Sequence, residues 1–188
     1  MSNHHQSITE GLAVELYLDP VSEEKVLKFR DIIYKEGIQP VQGLMADKPH
    51  VSLAVFPTTD VERVIGLTGE FARSVHRFGF RLGAVGTFPT TDNVLFVYPV
   101  PSVTLLNVHA DFHKLIREAG IECSRYYYPG SWVPHLTLEF DISSDELCRS
   151  IRIFKENFKP ITGEFTQLGV VGFRPIEYLD HFDLKEGN

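Results

Sequence analysis

The sequence predicts an α+β protein: a bilobal duplicated fold, two antiparallel sheets with helices on the outside and a central cleft. Three observations predict it. Short apolar or alternating runs bounded by Pro, Gly and Asn are interleaved with stretches of helical periodicity. One pattern occurs twice, as Pro49-His50-Val51-Ser52-Leu53 and as Pro134-His135-Leu136-Thr137-Leu138. The two copies lie 85 positions apart, and so do Phe80 and Phe165, and Val85 and Val170, further along. A single offset shared by strand, helix and next strand is what an internal duplication leaves behind.

Taken in order, 12–18 reads as an apolar first strand after a flexible N-terminal tail over 1–11. Asp19-Pro20-Val21-Ser22 turns it into a helix, with Ser22 the expected cap and Glu23/Glu24 at the positive end of the dipole. Val26, Phe29, Ile32 and Ile33 share one face of that helix, which Gly37 ends. The first motif strand covers 50–56. Thr59 with Glu62 forms a capping box for a helix running to about His76. A strand over 78–85, a turn at 90–93 and a strand over 94–100 follow.

The scheme then begins again. Pro101-Ser102 opens a helix whose apolar face holds Leu105, Val108, Phe112 and Ile116, ended by Gly120. The second motif strand covers 135–140. Ser143 with Glu146 is another capping box, and two strands, 161–173 and 176–184, close the chain. Residues 12–188 are thus expected to form one bilobal domain.

Bulk properties exclude several classes. Hydrophobic residues make up 43% of the chain, enough for a substantial core. No run has the length of a membrane span, and the polar start lacks a signal-peptide core. Cys123 and Cys148 lie far apart and form no CxxC, so a reduced, cytoplasmic setting is expected. The net charge is −7, with no Lys/Arg stripe, which argues against a duplex DNA partner. One or two phosphates can still be held by hydroxyls, imidazolium and backbone N–H groups. A monomer is expected.

The repeated pattern carries chemistry. On a strand, residues i and i+2 share a face. His50 therefore stands beside Ser52, and His135 beside Thr137, while Val51/Leu53 and Leu136/Leu138 point to the core. Two imidazoles across a cleft can supply both a base and an acid near neutral pH. The hydroxyls can donate to the non-bridging oxygens of a phosphodiester. Such chemistry needs no metal and no cofactor. For either histidine alone a structural role is the simpler reading; the matched pair favours function.

The tandem motifs His50-Val51-Ser52-Leu53 and His135-Leu136-Thr137-Leu138 resemble those of the two-histidine (2H) phosphoesterase superfamily. Trp132-Val133-Pro134-His135 is most similar to its 2′-5′ RNA ligase-like branch, and the resemblance covers nearly the whole chain. It implies a bilobal fold and metal-independent action on 2′,3′-cyclic or 2′-5′ phosphodiesters of a nucleotide or RNA end, or on a cyclic phosphate of ADP-ribose. It also implies that His50 and His135 are the acid/base pair and that Ser52 and Thr137 hold the phosphate. The chain departs from some members in having no Arg close after either motif. A non-catalytic nucleotide-binding module is the alternative from another class.

Trp132 and Tyr126 to Tyr128 are candidates for stacking a nucleobase, with Tyr128 and Trp132 the expected substrate-binding pair, or equally for plugging the loop. His109 and His113 are spaced i, i+4 on a helix, but lack a third metal ligand in reach by sequence. His76 and His181 read as surface residues, and the 169–172 Gly-Val-Val-Gly run lacks the context of a nucleotide-binding loop.

Overall fold

The computed structural model describes residues 10–39, 47–57, 60–174 and 176–187. Its elements run β1 (Gly11–Leu18), α1 (Pro20–Lys35), β2 (His50–Phe56), α2 (Val61–Ala72), β3 (Phe78–Thr87), β4 (Leu95–Pro99), α3 (Val103–Glu118), β5 (Leu136–Glu139), α4 (Ser144–Asn157), β6 (Ile161–Phe173) and β7 (Glu177–Asp183). A short 3₁₀ turn, Arg125–Tyr127, precedes β5. The α+β class and the antiparallel pairing are as expected. The first strand starts at Gly11, one residue inside the stretch expected as tail, and the Glu10 N–H already donates to the Phe173 carbonyl.

Where two sheets were expected there is one, in the order β2-β1-β6-β3-β4-β5, with β7 also paired to β6. The reason is the length of β6. Its Ile161–Phe165 end pairs with β3, while its remainder pairs with β1 on one edge and β7 on the other. Exchanging β1 with β4, β2 with β5 and β3 with β6 turns that order into its own reverse, so the sheet is two-fold symmetric about the β3–β6 pair. Taking β1–β3 and β4–β6 as the equivalent halves, each therefore lends its third strand, β3 or β6, to the other half's lobe. The two motif strands end up at opposite ends of the strand order, yet β2 and β5 pack close together, so the sheet curls and brings its ends to one place.

Both motif strands carry a bulge at equivalent positions. Val14 and Glu15 of β1 face Ala54 and Ser52, leaving Leu53 as the extra residue. Leu95 and Phe96 of β4 face Glu139 and Thr137, leaving Leu138 as the extra one. A bulge shifts the side-chain alternation by one. Val51, Leu53, Leu136 and Leu138 are fully buried as the alternation requires. Beyond the bulges, Ala54 and Glu139 are fully buried as well.

Caps set the helix starts. Asp19, not Ser22, caps α1: its Oδ1 accepts from the Val21 and Ser22 N–H groups, with Pro20 at the first helical position where its missing donor is harmless. Ser22 is instead buried against β6, its hydroxyl donating to the Thr162 carbonyl. Asp19 has a second duty, since its Oδ2 accepts the Glu164 N–H of β6. Ser143 and Glu146 form the expected capping box of α4. The corresponding Thr59 lies outside the described residues, and α2 stops at Ala72, short of His76. The expected strand 94–100 is trimmed to Leu95–Pro99.

The free edges of the motif strands are closed by side chains, which satisfies backbone groups that would otherwise invite another strand. His113 Nε2 on α3 donates to the bulged Leu53 carbonyl at 3.0 Å, and Trp132 Nε1 to the Ser52 carbonyl at 3.0 Å. Across the dyad, buried Arg30 of α1 donates to the Thr137 carbonyl at 2.7 Å and the Asp47 carbonyl at 3.0 Å. His109 stacks flat on Trp132, centroids 3.8 Å apart, and its Nε2 donates to the Tyr127 carbonyl.

Burial, together with neighbouring His113, pushes His109 down to about 4. Burial also lowers His113. On unfolding, both rings regain their ordinary value near 6.5 and bind protons that the folded chain refuses. Stability conferred by keeping them neutral is therefore intact above pH 6.5 and lost as pH falls from 6.5 toward 4. For His109 the loss is on the order of 3 kcal/mol, at about 1.4 kcal/mol per pH unit. Denaturant unfolding between pH 8 and 4 should show this decline, and His109→Gln should flatten it; an unchanged slope in the variant would contradict the assignment.

Candidate active site

The cleft face of the β2 lobe is built by register. Tyr17 of β1 sits opposite His50, and Glu15 sits opposite Ser52. On the next strand Tyr17 faces Gln167, and Glu15 faces Gly169. Gly169 has no side chain to give: a Cβ there would fall inside the Tyr17 ring and hydroxyl. That vacancy lets the Tyr17 phenol lie across β6 and donate to Glu15 Oε2 at 2.9 Å. Lys48 lies over the other part of the Tyr17 ring, 4.4 Å from its centroid.

Both motif histidines are clamped the same way. His50 Nδ1 lies 2.8 Å from the Lys48 carbonyl, and His135 Nδ1 lies 2.8 Å from the Val133 carbonyl. In each case the acceptor belongs to the residue before the proline, whose extended backbone aims that carbonyl at the ring two positions on. A carbonyl only accepts, so Nδ1 carries the proton and Nε2 is left for chemistry. The rings are close enough that a charge on His50 disfavours one on His135. The structure thus brings His50, Ser52, His135 and Thr137 together, each half-buried.

Their surroundings differ. His50 Nε2 lies 3.3 Å from Glu15 Oε1, and Nδ1 lies 3.7 Å from Asp47 Oδ2. Burial opposes a charge on this ring, but the Glu15 and Asp47 carboxylates outweigh it and hold His50 above its ordinary value. His135 instead has Phe88 edge-on at 5.0 Å and Phe96 at 5.2 Å. Burial holds it below its ordinary value, against the Val133 carbonyl and with His50 adding to the effect. Glu15 is itself pushed up by burial, partly offset by His50. The titrations of Glu15 and His50 are therefore coupled, the carboxylate favouring a charged His50 and a charged His50 favouring the carboxylate.

A cavity of about 700 Å³ opens beside His135, lined among others by Phe88, Tyr126, Tyr127, Trp132 and Val133. Trp132 is both wall and anchor, since its ring faces this cavity while its N–H is tied to β2. Tyr128 does not line it; it is exposed and stands edge-on to His113 at 6.2 Å. Of the three tyrosines it is Tyr126 and Tyr127 that line it. Burial raises the Tyr127 phenol, with the neighbouring Ser52 side chain opposing the rise. A smaller pocket of about 420 Å³ lies on the His50 side, between Tyr17, Lys48, Gln167, Tyr178, Asp180 and His181.

Sequence reading did not single out Glu15 or Glu139. Glu15 sits in a strand that is otherwise apolar, and a lone carboxylate in such a run is the available signal. Glu139 follows the second motif by simple alternation on the cleft face, but the bulge at Leu138 turns it inward beneath α1. There burial pushes its carboxyl up to about 8 despite the nearby Arg30 guanidinium. His109 and His113 serve packing, as described above. Among the described residues no group of three or more His, Cys, Asp or Glu is placed to hold a metal ion, and no helix is long and apolar enough to cross a membrane.

Comparison with known proteins gives consistent matches. Residues 16–174 match the model of the 2′-5′ RNA ligase superfamily. A Bacillus mycoides (strain KBAB4) protein named "Putative phosphoesterase" is 32% identical over 105 residues, covering 52% of this chain and 55% of that protein. The chain thus matches about half the length of that curated relative. Two crystal structures share the fold. Escherichia coli LigT, solved with 3′-AMP, superposes with a TM-score of 0.64 at 18% identity over 94% of this chain and 99% of LigT. TT0787 of Thermus thermophilus gives a TM-score of 0.64 at 17% identity, covering 95% of this chain and all of that one.

The glycine opposite Glu15 provides a direct check on the geometry. Gly169→Ala should displace the Tyr17 ring and cost about 1–3 kcal/mol by overpacking. Denaturant unfolding measures it; wild-type stability with Tyr17 unmoved in a crystal structure would refute the packing described.

Proposed function

Since the chain belongs to the 2′-5′ RNA ligase superfamily, the two-histidine phosphoesterases, we propose that it is a metal-independent phosphodiesterase acting on 2′,3′-cyclic or 2′-5′ phosphodiester bonds of a nucleotide or an RNA end. The observation that carries this reading is the pair of histidines clamped through Nδ1 in the same way, which leaves catalysis to the Nε2 atoms, that of His50 facing the Glu15 carboxylate at 3.3 Å. One Nε2 removes a proton from the attacking water and the other gives a proton to the departing ribose oxygen. Ser52 and Thr137 donate to the non-bridging oxygens, where charge gathers as the fifth bond to phosphorus forms.

The cavity beside His135 supports a nucleoside substrate. Trp132, Tyr126, Tyr127 and Phe88 offer flat apolar surface next to the reacting phosphate, and stacking a base on such a surface is worth roughly 1–3 kcal/mol. A net charge of −7 without a basic stripe suits a mononucleotide or a chain end better than a long duplex.

A panel of 2′,3′-cyclic mononucleotides, a 2′,3′-cyclic RNA end, a 2′-5′ dinucleotide and ADP-ribose cyclic phosphate, assayed with and without chelator, tests the proposal. Turnover should be unaffected by chelator. His50→Ala and His135→Ala should each lower kcat by about 10²–10⁴ without loss of fold. Full activity in the double variant would eliminate the mechanism. Binding of a nucleotide with no turnover of any panel member would point to a binding module instead.

A further inference from the structure

The dyad that relates the two histidines does not relate what faces them. The register that sets Glu15 opposite Ser52 sets Phe96 opposite Thr137. One imidazole therefore meets a carboxylate, at 3.3 Å, and the other meets a benzene ring. The Glu15 side chain is 5% exposed, and its second oxygen is held by Tyr17. Because His50 Nδ1 donates to the Lys48 carbonyl, a neutral His50 would turn the Nε2 lone pair toward Glu15. The contact is favourable only with a proton between them.

We propose, on the basis of the phosphodiesterase reading above, that Glu15 is a positioning residue that keeps the proton on His50 Nε2, so that His50 acts as the acid and His135 as the base. The step then has one direction. His135 Nε2 takes a proton from water as the water oxygen bonds to phosphorus. The bond from phosphorus to the leaving ribose oxygen breaks, and that oxygen receives the Nε2 proton of His50. His135 afterwards releases its proton to solvent, and His50 regains one beside Glu15. Phe88 and Phe96 keep His135 neutral and ready before attack.

Other charged or titratable groups bear on the pair. Tyr17 reaches it from β1, Asp47 from the loop before β2, and Arg30 from α1. Tyr127 comes from the 3₁₀ turn and Tyr178 from β7. Asp47 approaches His50 at Nδ1, the clamped side, and so cannot hold the Nε2 proton. Glu15→Gln keeps the shape and can still accept from Tyr17, which isolates the charge.

The test combines histidine-ring NMR titration with pH–rate profiles on a 2′,3′-cyclic mononucleotide. In the wild type, His50 should titrate above 6.5 and His135 below it. Glu15→Gln should lower the His50 midpoint by about one to three pH units, the range expected for losing an adjacent opposite charge. The alkaline limb of kcat should move down with it, while the acid limb stays. Glu15→Asp should recover part of the shift. The wild-type order of midpoints needs no variant, and the reverse order overturns the proposal, as does a His50 midpoint or alkaline limb indifferent to Glu15→Gln. If the wild type turns over no panel member while the midpoint still moves, the phosphodiesterase reading fails and the proton-holding role stands.

Discussion

The constraint on which the molecule depends is the short antiparallel contact between β3 and β6 on the dyad. Only five residues of each strand take part, Phe78–Leu82 against Ile161–Phe165. Through that contact each half of the chain hands its third strand, β3 or β6, to the other half's lobe, and the two lobes become one sheet. Both motif strands lie at the far ends of that sheet. The histidines meet because the curl set at the centre accumulates outward over β1 and β4 to β2 and β5. Aromatic packing at the junction, with Phe165 against Phe78 and Phe80 at centroid distances of 5.2 and 4.7 Å, holds the centre closed.

Motif strands at sheet ends pose a problem, because their outer edges have no neighbouring strand. The chain solves it twice with different chemistry. On one side an imidazole and an indole take the carbonyls of β2; on the other a guanidinium takes that of β5 and a loop carbonyl besides. Rigid donors at these points fix the strands that carry His50 and His135. The cost is a set of buried polar groups, Arg30, Glu139, His109 and His113, and for the carboxyl and the two imidazoles protonation is tied to folding.

Much of this was legible in the chain. The common offset of 85 predicts the duplication and both motif strands, strand alternation predicts the core-facing leucines, and the Ser-x-x-Glu spacing predicts the capping box at Ser143. It fails where the halves have diverged. Glu15 and Phe96, the facing partners of Ser52 and Thr137, lie 81 positions apart, so the offset search passes over them. The bulges at Leu53 and Leu138 are backbone events with no residue signature, and they invert the alternation for Glu139. Strand exchange was hidden for a different reason: pairing partners that distant are chosen by packing of the whole sheet. Asp19 took the cap from Ser22 because Pro20 fits the first helical position and Ser22 is needed against β6.

A ring phosphate presents two ester oxygens that are chemically almost equivalent, and a cleft with perfect two-fold symmetry would let either depart. Replacing one member of a mirrored pair by a carboxylate and the other by an aromatic removes that ambiguity. On the proposed reaction, regiochemistry, whether the phosphate stays on the 2′ or the 3′ carbon, would then be decided by a difference between Glu15 and Phe96, two side chains that themselves form no bond to the substrate.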